Sequence, residues 1–132
     1  MSSYQARLNR LPQLANEVIR RNICSELQKL KAAPSWQRES GRSSETLVKY
    51  EEFRIVLVRM KHGSYMSHHR AEGPLSIQAI QGKIRVHLPE DHMEELEPGD
   101  LLTLDRCMEH DVEALEESAF LLTIAWPEAA AN

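Results

Sequence analysis

Residues 53–88 read FRIVLVRMKHGSYMSHHRAEGPLSIQAIQGKIRVHL, and this stretch decides the fold. Phe53–Met60 opens it with a run of Ile, Val and Leu, the composition of a well-buried strand. In Lys83–Leu88 polar and apolar residues alternate, the period of a strand with one buried face. Leu75–Ile80 is a third such segment. The intervals hold turn chemistry: His62-Gly63-Ser64, Glu72-Gly73-Pro74 and Gln81-Gly82. Toward the C-terminus the rhythm continues through Met93–Leu96, Leu101–Leu104, Asp111–Leu115 and Ala119–Trp126. Pro89-Glu90-Asp91 and Pro98-Gly99-Asp100 punctuate that half. Short strands at this spacing, roughly seven to ten of them, predict a sandwich or closed antiparallel barrel and not βαβ units.

Upstream the period changes. Leu11, Leu14, Val18, Ile23, Leu27 and Leu30 recur at spacings of three, four and five residues. That pattern predicts one or two helices within residues 5–32, closed by Pro34. Ser35–Glu45 (SWQRESGRSSE) is polar and reads as a linker or surface loop. The expected organisation is an N-terminal helical segment and linker over 1–45, a barrel over 46–127 and a tail over 128–132. The apolar stripe of the helical segment is expected to cover a sheet face or a partner subunit. Trp36 and Trp126 are expected to pack at the two ends of the fold.

At 132 residues the chain has room for one domain, and 42% hydrophobic with 27% charged residues is an ordinary globular balance. A net charge of −4 without a basic patch argues against nucleic-acid binding; Arg20-Arg21 reads as a solvated face. Cys24 and Cys107 lack CxxC spacing, so no disulfide framework is implied. The N-terminus has no charged-then-apolar run, and no apolar stretch approaches the ~18 residues of a membrane span. A cytoplasmic protein that does not engage the membrane is the expectation.

Within the β-region two motifs resemble those of the cupins. The first cupin motif has the form G-x5-H-x-H-x3-E-x6-G; here Gly63 and His69 match it, and Gly82 falls at the closing glycine. The second has the form G-x5-P-x-G-x2-H-x3-N; Gly99 and His110 match it within GDLLTLDRCMEHDVEA. The resemblance covers residues 63–110 and implies a mainly β, double-stranded β-helix (an antiparallel jelly-roll barrel) behind a short N-terminal helical segment. In metal-dependent cupins both first-motif histidines, the glutamate and the second-motif histidine converge on one ion. Here Ala71 stands at the second histidine and Leu75 at the glutamate, while Asp105, Cys107 and Ala114 replace the proline, glycine and asparagine. His69 and His110 are the aligned metal ligands that remain, and two imidazoles alone hold a divalent ion weakly.

The candidate pocket residues are His69, His110, His68, Arg70, Gln78 and Cys107. His68 adjoins His69, and adjacent strand residues face opposite ways unless a bulge or loop intervenes. Gln78 offers an amide, although its strand parity is opposite to that of Leu75. Cys107 offers a thiolate if its loop turns inward, and Arg70 a guanidinium for a carboxylate or carbonyl. His62, His87 and His92 read as surface or strand-face histidines, Glu72 as a surface ion-pair partner, and Asp105 and Asp111 as turn or strand-end residues. Three functions stay open at this point: a small-ligand-binding barrel with a reduced or absent metal site; a metal-dependent oxygenase or isomerase of a small organic molecule using Zn, Fe, Mn or Ni; and a regulatory sensor. Catalytic residues are not assigned. A homodimer is expected, because edge strands of small barrels are often covered by a partner.

Overall fold

The structure, a computed structural model, describes residues 12–68 and 71–125. Two helices, α1 (Pro12–Ala15) and α2 (Ile23–Ala32), and a 3₁₀ turn (Pro34–Gln37) precede the strands. These are β1 (Arg42–Lys49), β2 (Phe53–Met60), β3 (Tyr65–His68), β4 (Leu75–Gln81), β5 (Ile84–His87), β6 (Met93–Leu96), β7 (Leu101–Leu104), β8 (His110–Ala114) and β9 (Ser118–Ala125). They form a five-stranded sheet in the order β1-β2-β9-β4-β7 and a four-stranded sheet in the order β3-β8-β5-β6. All the strand pairs are antiparallel.

Period-two patterning puts one face of each sheet inward. Met60, Leu75, Ile77, Ile84, Val86, Val112, Phe120 and Leu122 meet there in one cluster, several of them wholly buried. A second cluster lies outside the five-stranded sheet, where Leu27 and Leu30 of α2 cover Leu47, Val48, Leu57 and Ala119. This explains the continuous apolar run of β2: its last four residues are buried on both faces. The expected role of the helical stripe as a sheet cover is thus met by α2.

The long helical pattern is nevertheless broken. Asn22 caps α2, its Oδ1 accepting the Ser25 N–H at 2.9 Å, so the helix starts afresh there. Val18, counted in the stripe, lies between the helices and is 87% exposed. The expected loop over 35–45 is also corrected. Pro34–Gln37 is a 3₁₀ turn, and β1 begins at Arg42, ahead of the expected barrel start at 46. Its polar residues hid it, because Ser43 and Glu45 face the helix layer and not the apolar interior.

Sheet register fixes the two ends of the barrel. His68 pairs with His110 and His87 with Asp111, so segments 71–74, 88–92 and 105–109 share one end, the mouth. Cys107 N–H donates to Ala71 O at 2.8 Å and ties two of these loops together. At the opposite end, the base, Gly63 N–H bonds Ala114 O, and Leu115 N–H bonds Lys83 O. The left-handed backbone positions divide the same way. Those near the base are all glycines (Gly41, Gly63, Gly82, Gly99), whereas those at the mouth are Glu90, Asp91 and Cys107.

Candidate binding site at the barrel mouth

His110 opens β8, whose burial alternates so that His110, Val112 and Ala114 face inward. It is 3% exposed, and its Nδ1 lies 3.1 Å from Met108 O. A carbonyl only accepts, so Nδ1 carries the proton and the imidazole is oriented by its own loop. Across the ladder the partner of His110 is His68. In an antiparallel pair directly opposed positions share a face. The register position opposite His110 is therefore that of His68, one of the candidate pocket residues. His69 and Arg70 lie outside the described residues.

The inner row continues across the four-stranded sheet. Leu88 N–H donates to His92 O at 2.8 Å just beyond the His87–Met93 pair, so Leu88 and His92 extend β5 and β6 at the level of His110. One step deeper lie Met66, Val112, Val86 and Glu94, linked by register. Opposite, in the five-stranded sheet, the corresponding row is Arg54, Ile124, Leu75 and Leu104. Leu75 is 5% exposed and part of the inner cluster; Ala71 packs against that cluster. The positions where the motif would carry a glutamate and a second histidine are therefore apolar.

Two of the candidate pocket residues stand elsewhere. Gln78 is exposed on the outer side of β4, as its parity relative to buried Leu75 and Ile77 dictates, so it does not line the barrel. Cys107 is at the mouth but exposed, on a left-handed backbone with φ of 63° that turns its side chain out of the inner layer. His87 lies on the outer face of the four-stranded sheet, its Nε2 3.0 Å from Glu113 Oε1, beside Tyr65. Tyr65 in turn donates to Asp111 Oδ2 at 3.0 Å, which makes Asp111 an outer-face residue. Asp105 is exposed and accepts the Arg106 N–H, a turn role. His62 is exposed at the base end.

Sequence reasoning passed over two inner-face polar residues, Arg54 and Glu94. Glu94 registers with Val86, which is wholly buried, and bonds His92 Nε2 through Oε2. The signal was Leu96: counting back by two from a core residue puts Glu94 inside and Glu95 outside.

A metal bound in the manner of metal-dependent cupins would need the motif positions to supply donors. Among the described residues those positions supply His110 alone, and Leu75 and Ala71 supply none; no group of three or more His, Cys, Asp or Glu gathers among them. The donors described at these positions do not by themselves make a three- or four-ligand divalent site.

Two antiparallel sheets wound in this strand order around one apolar core, with an inward imidazole at the mouth, make a double-stranded β-helix. The chain is a small domain of the cupin fold, and solved structures share it. A cupin superfamily protein from Desulfitobacterium hafniense superposes with a TM-score of 0.65 at 20% identity, covering 86% of this chain and 94% of that one. An RmlC-like cupin from Desulfovibrio desulfuricans gives 0.57 at 28% identity, covering 64% and 81%. The DMSP lyase DddQ from Ruegeria pomeroyi gives 0.59 at 14% identity, covering 64% of this chain and 47% of that one. No family sequence model and no curated protein sequence matches the chain. No helix among the described residues is long and apolar enough to cross a membrane.

Proposed function

We propose that this chain is a small-ligand-binding cupin that takes a small organic molecule at the barrel mouth, with the metal site of its fold reduced or lost. The observation that carries this reading is Leu75: where a metal-dependent cupin has a carboxylate, this barrel has a buried aliphatic side chain packed into the core. Removing both a ligand and a charge there favours an apolar ligand body over an ion. His110 supplies a fixed polar contact at the rim of that surface, and His68 is its register partner. Barrel mouths are common ligand sites, because the strands hold the side chains rigidly while the loops vary.

The test is the content of the protein purified without an affinity tag. Denaturing extraction and mass spectrometry are expected to release a small organic molecule, or elemental analysis to find no stoichiometric metal. A His110→Ala variant is expected to lose ligand affinity about tenfold or more, the scale of one lost polar contact in a desolvated site. Near-stoichiometric Zn, Fe, Mn or Ni that disappears in the variant would overturn this reading in favour of a metal-dependent oxygenase or isomerase. That enzyme reading has support in DddQ, a lyase of the same fold.

A further inference from the structure

The strands at the sheet ends, β1, β7, β3 and β6, each leave one row of backbone N–H and C=O groups outside the ladders. Such a row is a template for another chain unless charge, Pro, a bulge or a covering segment blocks it. Three of these edges are blocked. β1 is interrupted by a bulge at Leu47, whose carbonyl accepts from Arg21 Nε, and Tyr50 just beyond it donates to Asn16 O. Arg42 donates to Tyr65 O of β3. β6 carries Glu94 and Glu95, engaged by His92, Lys83 and Arg85. β7, Leu101-Leu102-Thr103-Leu104, has no charge, Pro or bulge, and among the described residues its ladder runs to β4 alone.

The outward side of β7 has the same character. Leu101 is 64% exposed and Thr103 is exposed, with Gln78 and Ser76 of β4 beside them, so uncharged side chains make up this part of the outer face. The flanks of the strand are charged, and with opposite sign. Asp100 precedes it and Arg106 follows two residues after its end, both exposed.

We propose that β7 is the interface with a second copy of this chain, pairing antiparallel with itself about a two-fold axis at Thr103, so that the two five-stranded sheets run on as one. Directly opposed positions of an antiparallel pair share a face, so outward Thr103 meets Thr103 and inward Leu102 meets Leu104. This register also sets Asp100 of each copy opposite Arg106 of the other. A register one residue shorter opposes Asp100 to Asp105, like charge to like, and inward Leu102 to outward Thr103. The acid at one end and the base at the other are both used only when the strand meets its own sequence reversed, which commits the edge to a second copy. The proposal is independent of what the barrel binds.

Such short strands make a small interface, so the expected dimer is weak, with a Kd of roughly 10–100 µM. Sedimentation equilibrium of the whole protein is expected to show it, and hydrogen exchange in Leu101–Leu104 to slow as the protein is concentrated. Thr103→Lys and Thr103→Glu each put two like charges at the axis and are expected to weaken the dimer at least about tenfold, with the far-UV circular dichroism unchanged. An equimolar mixture of the two variants is expected to restore a dimer, as the mixed pair, which a merely damaged strand would not do. A wild type that stays monomeric up to about 1 mM would overturn the proposal. Exchange in Leu101–Leu104 that ignores concentration, or a dimer that neither variant weakens, would place the contact elsewhere and overturn it too. Weakening in both variants without recovery in the mixture would overturn the axis at Thr103.

Discussion

Gly82 and Cys107 both adopt left-handed backbone, with φ of 75° and 63°, yet they answer to different pressures. A Cβ at Gly82 would stand 2.2 Å from Glu117 O and 2.4 Å from Ser118 Oγ, a hydroxyl that bonds both the N–H and the carbonyl of Lys83. Gly82→Ala therefore forces the β4–β5 turn off the β8–β9 turn. It is expected to lower stability by more than about 2 kcal/mol, read as a shifted urea midpoint. Cys107 is exposed, and its N–H already makes its bond to Ala71. Cys107→Gly keeps that bond and relieves the left-handed penalty, so it is expected to stabilise by about 0.5–1 kcal/mol in the same titration. The motif match located Gly82, because the closing glycine of the first motif is a steric requirement and stays visible in one sequence. The facing of Cys107 was not legible, because a single left-handed residue reverses a side chain without any compositional trace.

At the scale of elements, α2 is held by one buried cation and by two carboxyls. Arg59, 7% exposed, donates to Leu27 O at 2.9 Å and to Glu117 Oε2 at 2.7 Å, and stacks on the Trp36 ring at 5.6 Å. Arg59→Ala removes the contacts that join helix to sheet and is expected to cost about 2 kcal/mol. Hydrogen exchange should show protection falling in Ile23–Ala32 and persisting in β4, β5 and β8. The hydrogen bond from Arg59 holds the Glu117 carboxyl below the ordinary carboxylate range, with Lys31 adding to it. A depressed folded pKa means that this contribution is present above the ordinary range and is lost as pH falls through the folded value. Glu45 behaves oppositely: burial first, and then its hydrogen bond with Glu26, raise its pKa. A raised folded pKa means stability that is full below the ordinary value and is lost as pH rises through the folded one. Glu45→Gln is accordingly expected to match the wild type in acid and to exceed it at neutral pH; equal stability at both would refute the burial-driven rise. The presence of α2 was legible from Leu27 and Leu30. Strands β1 and β3 were not: Ser43 and Glu45 face a helix layer, and the four residues of β3 include a single inward apolar side chain, Met66, so neither shows plain alternation.

For the molecule as a whole, sequence pattern carried the architecture because turns and inward aliphatics recur at every strand, and each one repeats the same information. The site was legible only where the motif survives. Gly63, Gly82, Gly99 and His110 mark the frame, and the ladder adds that the register position opposite His110 is His68, which motif spacing does not reveal. Glu94 escaped for the same reason: with Glu95 beside it, composition alone does not say which of the two looks inward. The division of left-handed positions between the two ends has a consequence for substitution. At the base every left-handed position is a glycine, and at Gly82 a steric lock adds to the backbone preference, so substitution there strains the turn. At the mouth the left-handed positions are filled by Glu90, Asp91 and Cys107, side chains that the turns already accommodate without a glycine, so exchange there meets no lock of the Gly82 kind. The end of the barrel proposed to meet a ligand is thus the end whose turns are least locked, and its side chains can change without the barrel being rebuilt.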